Sequence, residues 1–166
     1  MINETLGQIY AQELESEARA SRRCLERIPE KLFTWKPHEK SLTMIYTALI
    51  VAEIPKWITH IIEISEIDFA TIKHFQPKTT GELVNHFEEN LTVALSSLQK
   101  VTDEELLNLF YLKNNGVTLM SSSKKENISL SINHLVHHRG QLTVYMRLND
   151  IPVPSIYGPS ADEKIF

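Results

Sequence analysis

Three of the chain's seven histidines fall within five consecutive positions, His134, His137 and His138. A helix advances about 100° per residue, so His134 and His138 stand one above the other on a single face while His137 points to the side. Imidazoles at i and i+4 can converge on one ion, and imidazole nitrogen is a preferred donor for zinc, nickel or copper. The same stripe runs on through Ser131, Gln141, Tyr145 and Leu148 in alternating steps of three and four, the spacing of a seam between packed helices. Such seams are normally Leu and Ile, because a buried polar group without partners costs several kcal/mol. Two chemistries follow. Either His134 and His138 hold a divalent metal, or they are buried imidazoles hydrogen-bonded to each other through water, to Gln141, to Tyr145 or to facing helices.

The stripe needs a bundle to face. Apolar residues recur at helical spacing from about Glu4 to Arg27, and Ile28-Pro29 ends that helix. A connector to Lys40 carries Trp35, expected to plug one end of the core. Ser41 is the expected N-cap of a second helix running to about Glu66, the most apolar of the chain, with Pro55 expected to kink it or open a local bulge. After a connector from Asp68 to Lys78, Thr79 and Glu82 have capping-box spacing at the start of a third helix whose buried face is Leu83, Phe87, Leu91, Ala94, Leu95 and Leu98. An acidic stretch from Thr102 to Leu107 suits one or two helical turns. Asn115-Gly116 is a hairpin-type turn signal between short apolar runs, compatible with two short strands or an irregular loop. A fourth helix spans about Lys124 to Asn149, and the tail Ile151 to Pro159, with three prolines, must be extended or turned. Four long helices with long connections define an all-α, four-helix bundle in one domain, residues 1–166.

Helix four carries a second apolar face, Ile128, Ile132, Leu135, Leu142 and Met146, which supports packing on two sides: a homodimer or a cover supplied by the tail. Gly140, costly inside a helix, is expected where another helix or subunit comes close. Arg139 and Arg147 are expected to pair with acidic neighbours such as Asp162 or Glu163.

Seventeen basic against twenty-one acidic residues leave a net charge of -4, which argues against nucleic acid as a partner. The single cysteine, Cys24, excludes an intrachain disulfide and fits a reducing, cytoplasmic setting. Met1 to Thr5 has no leader-like pattern, and the apolar run from Met44 to Ile54 is too short to cross a membrane. There is no phosphate loop, nucleophile elbow, paired-cysteine motif or dinucleotide fingerprint.

The run from Asn133 to Leu142, with Val144-Tyr145-Met146-Arg147, Pro152-Val153-Pro154 and Tyr157 to Glu163, resembles the DinB-like superfamily, also called the YfiT-like metal-dependent hydrolases. Pro37 to Ser41 and Val51 to Trp57 share the likeness, which extends over essentially the whole chain. The resemblance implies a small bundle, commonly dimeric, holding a divalent metal on one histidine from helix two and two from helix four. It further implies kinship with thiol-dependent transferases, isomerases and hydrolases. The helix-four pair falls on His134 and His138. The helix-two histidine falls on position 50, which is Ile50, so the triad is incomplete. Glu53, one turn further along, Glu13 or Glu17 from helix one, or a group from a partner chain are the remaining donors, and spacing selects none. His60 is about 15 Å along the axis from position 50, out of reach.

The expectation is therefore a metal-dependent hydrolase or thiol transferase of this type, with zinc or nickel weakly held or absent. Its alternative is a metal-free, non-catalytic homodimer that binds a small molecule or acts as a stress-linked interaction protein. The expected pocket residues are Ile50, Glu53, Gln141 and Tyr145.

Overall fold

The computed structural model describes residues 4–164, so Met1 to Asn3, part of the stretch read above for a leader pattern, lie outside the described residues. Four long helices form the body: α1 (Leu6–Leu25), α2 (Met44–Glu63), α3 (Thr80–Lys100) and α4 (Lys124–Leu148). α2 is the central helix and packs most extensively on α3 and α4. Twelve of its twenty residues are buried, Pro55 among them, so its high hydropathy is that of a core helix.

Side-chain caps set the helix starts. Thr5 and Gln8 form a capping box on α1, and Ser123 and Glu126 form one on α4. α2 is capped by Thr43, which accepts from the Tyr46 amide, two residues later than the Ser41 expected from the sequence. Thr79 caps α3, but the Glu82 carboxylate turns back to the Lys78 amide, so the reciprocal half of the expected box is absent.

The bundle is not wholly helical. β2 (Leu109–Asn114) and β3 (Val117–Ser123) form an antiparallel hairpin, and β1 (Glu66–Asp68) adds to β2 in parallel. Asn115 and Gly116 occupy the tight turn with positive φ, as the dipeptide predicts. Asp68 holds that turn from β1, accepting from the Asn115 amide at 3.0 Å and the Gly116 amide at 2.7 Å. These and the Ala70 amide stabilise its charged form, so its pKa lies below the usual carboxylate value. The all-α expectation is corrected here: a three-residue edge strand has too few positions to show a period in sequence.

α4 also turns differently from expectation. Ile128, Ile132, Leu135, Leu142 and Met146, the supposed second face, are the face that enters the core. The histidine stripe therefore lies along the rim of the core, where polar groups reach water or each other. Gly140 is open, with no atom within 4 Å of a built Cβ, so it serves no close approach within the chain. That role belongs to Gly7, where a Cβ would stand 2.3 Å from the Leu98 carbonyl oxygen of α3.

Among the described residues, the segment after α4 has no regular secondary structure, and ion pairs hold it. Arg147 meets Asp162, as expected, while Glu163 accepts from Arg23 and Arg27. Arg27, the Ser155 amide and Arg23 hold the Glu163 pKa down to about 2. Arg139 breaks the expected pattern. Its guanidinium is 2% exposed and pairs with Glu17 of α1 at 2.6 Å, with further bonds to the Glu17 carbonyl and the Tyr157 hydroxyl. Glu17 is thereby committed to this pair and is not a donor for the histidines. Breaking one side of a buried pair strands the other charge, a loss of about 3–5 kcal/mol. Arg139→Leu should lower unfolding stability by that order in urea titration; a loss below about 1 kcal/mol would show that the pair is not holding α1 to α4.

Candidate functional site

Between α2 and α4 lies a cavity of about 220 Å³, lined by Tyr46, Ile50, Glu53, Ile54, Trp57, Phe69, His74, Ser131 and His134. The helical residues arrive there by register. Tyr46, Ile50, Glu53 and Trp57 descend one side of α2 in steps of three and four, and Ser131 and His134 do so on α4. The connector from β1 to α3 closes the remaining side with Phe69 and His74.

On α4, Nε2 of His138 lies 2.8 Å from Nε2 of His134, and Nδ1 of His138 lies 2.8 Å from Oε1 of Gln141. An amide oxygen only accepts, so His138 Nδ1 carries the proton and donates to it. Its Nε2 is then the acceptor, and His134 donates from Nε2. His138 is neutral in this arrangement, with one N–H and one lone pair, while His134 needs only its Nε2–H. Burial pushes both pKa values below the usual 6.5, with His137 adding to the effect on His134, and His134 and then His137 adding to it on His138. Of the expected pocket residues, Gln141 orients His138 from behind the cavity. Tyr145 is elsewhere: it is buried edge-to-face against Trp35, ring centroids 5.5 Å apart, at the end of the core that Trp35 covers.

On α2, Glu53 is 4% exposed inside the most apolar helix. Its Oε2 accepts from His74 Nδ1 at 2.7 Å and its Oε1 from the Phe75 amide at 3.0 Å. His86 of α3 brings Nε2 to 3.6 Å from Oε1, too long for a good hydrogen bond, and that nitrogen is buried without a partner. Phe75 stacks on the His86 ring at 4.3 Å. His74 and His86 were not identified from the sequence: they lie in a connector and on another helix, with no spacing relation to Glu53.

The pair on α4 aims two nitrogens at one point, as a metal site requires, yet the rest of the donor set does not fit a three-ligand centre. Ile50 lines the cavity where the third imidazole would stand. Each oxygen of Glu53 accepts one bond from the connector, and the carboxylate is turned to that segment and not to the imidazole pair. Among the described residues, no group of three His, Cys, Asp or Glu side chains is close enough to hold an ion. His134 would also have to move its proton from Nε2 to Nδ1, since a ligating imidazole is neutral and binds through a lone pair.

The fold and this rim-lying histidine pair define a four-helix bundle of the type whose helices two and four enclose a small pocket. The chain belongs to the DinB family, whose model matches residues 1–164. Solved structures of similar fold are a DinB-like protein of Bacillus subtilis, YjoA, with TM-score 0.70 and 14% identity over 95% of this chain and 99% of that one, and a DinB-like protein of Bacillus cereus, with TM-score 0.67 and 18% identity over 89% and 95%. At such identities the likeness is one of fold. The protein YrdA of Bacillus subtilis is 56% identical over 32 residues, 19% of each chain, so the match spans about a fifth of that relative's length.

Because the folded pKa values of His134 and His138 are depressed, the unfolded chain binds these protons at higher pH. Their contribution to stability is complete above about 6.5 and is lost as pH falls through the folded values. The Tm should drop between pH 7.5 and 5, and His138→Gln, which cannot take up the proton, should flatten the slope; an unchanged slope would contradict the assignment. Separately, Glu53→Ala should strip the Phe75 amide of its acceptor, and hydrogen exchange at that amide should accelerate at least tenfold; unchanged protection would show that the carboxylate does not hold the connector.

Proposed function

We propose that the chain is a small-molecule-binding member of its family in which the three-histidine metal centre has been reduced to a hydrogen-bonded histidine pair. The observation that carries this reading is that Ile50 and His134 line one cavity. The position that would complete a metal centre thus contributes apolar surface, while the remaining imidazoles satisfy one another. Pockets of this kind, mostly apolar with a few placed polar groups, are binding sites before they are anything else. A second reading, a metal-dependent hydrolase or thiol transferase, draws its support from the two Nε2 atoms 2.8 Å apart, which need only spread to share an ion.

Zinc and nickel titrations of protein purified without a metal column separate the two. The binder reading expects weak, substoichiometric binding by the parent and at least a hundredfold tighter binding by Ile50→His. Stoichiometric, tight binding by the parent, abolished in His138→Ala, would establish the second reading instead.

The protein is further proposed to be a homodimer through the outer face of α4. Leu130, Val144 and Leu148 are more than half exposed and fall with His137 within about 40° on one stripe. Gly140 stands open beside it. Sedimentation should give twice the chain mass for the parent and one chain mass for Val144→Asp; a monomeric parent would remove the proposal.

A further inference from the structure

The walls of the α2–α4 cavity specify a charge as well as a size. Three of the nine lining residues are aromatic, Tyr46, Trp57 and Phe69, with the Trp57 and Phe69 rings 5.5 Å apart and tilted by 47°. Aromatic faces carry negative quadrupole potential and attract ammonium groups by about 0.5–2 kcal/mol, more where water is excluded. The one carboxylate is Glu53, and among the lining residues there is no lysine or arginine. A carboxylate offers about four lone-pair sites. His74 and the Phe75 amide use two of them, which leaves accepting capacity for a ligand N–H. The adjoining cavity, of about 390 Å³, shares Glu53 and Trp57 but sets Lys56 and Lys73 among Glu66 and Asp68, a mixed charged lining, whereas the smaller one combines a single carboxylate with three aromatic side chains.

Size narrows the ligand. An apolar cavity of about 150 Å³ holds a benzene molecule. The 220 Å³ here leaves roughly 70 Å³ beyond that, room for a one- or two-carbon arm and its head group. An anion of the same shape would meet the Glu53 carboxylate with no lysine or arginine among the lining residues to answer it.

We infer that the pocket takes a small primary amine in its ammonium form, a single apolar ring seated against Trp57, Phe69 and Ile50 with its N–H groups directed to the Glu53 carboxylate. This inference rests on the small-molecule-binding reading above and names its ligand class. The ring replaces cavity water against the aromatic and aliphatic walls. The ammonium group takes the free lone pairs of Glu53, a charge-assisted bond in a water-poor setting. Ser131 gives its own hydroxyl hydrogen to the Asn127 carbonyl, so it too faces the pocket as an acceptor, and a donor-rich head group matches it.

Three probes of one shape test this on the full chain: benzylammonium, benzyl alcohol and benzoate, titrated by calorimetry and by Trp fluorescence at pH 7.5. Benzylammonium should bind at least tenfold tighter than benzyl alcohol, and benzoate should give no measurable heat. In Glu53→Gln, which keeps an acceptor for the Phe75 amide, benzylammonium should lose its advantage and bind no tighter than the alcohol; a tenfold preference that survives in this variant would overturn the assignment to Glu53. Equal binding of ammonium and alcohol by the parent would overturn the charge recognition while leaving a small-molecule pocket in place. Binding of none of the three would overturn both. If Glu53→Gln does not fold, the comparison of the three probes on the parent still decides.

Discussion

A carboxylate in the middle of the most apolar helix of a bundle must be answered from outside that helix, because its own turn offers only engaged backbone. Glu53 is answered by the connector between β1 and α3, through His74 and the Phe75 amide. That pair of bonds brings a segment without regular structure across the opening between α2 and α4. It places His74 at the cavity wall and sets Phe75 on the ring of His86. Without a buried acceptor at position 53 the connector would have no polar tether on α2, and the space beneath it would be an open groove. The pocket is thus a consequence of one desolvated charge and of the bonds that make its burial tolerable.

The opposite wall is governed by a different constraint. Two imidazoles one helical turn apart must share protons in a consistent way, and Gln141 decides how. By accepting from His138 Nδ1 it leaves His138 Nε2 with a lone pair and obliges His134 to donate. The chain from Gln141 through His138 to His134 is then complete without any further group, and burial favours the neutral form of both rings. Ile50 fits this state: an apolar neighbour asks nothing of the pair. A third imidazole there would have reopened the accounting of protons and lone pairs that the present arrangement closes.

Much of the architecture was legible in the sequence because it is local. Periodicity placed all four helices, Asn115-Gly116 marked the hairpin turn, and the 134/138 spacing brought two rings together. What was not legible depends on distant partners. β1 exists because β2 and the Asp68-held turn lie beside it. Arg139 looked like a surface residue awaiting Asp162 or Glu163, yet it is buried against Glu17, more than a hundred residues earlier. Spacing alone makes the polar stripe of α4 a core-facing seam, although the adjacent aliphatic face provides the core; with two candidate faces some 80–160° apart, periodicity does not choose. Glu53 was named as a pocket residue from its place beside Ile50, while its partners His74 and His86 have no spacing signature and emerge only from the packing of the connector and α3.

The central claim is that His134 and His138 form a closed, neutral hydrogen-bonded pair and not a working metal centre. Long-range proton–nitrogen NMR of the histidine rings, recorded at pH 7.5 before and after one equivalent of zinc, tests it most directly. The account predicts that His138 is protonated on Nδ1 and His134 on Nε2, and that one equivalent of zinc leaves both patterns in place. A stoichiometric shift of both Nε2 signals to metal-bound values, with His134 protonated on Nδ1, would contradict it.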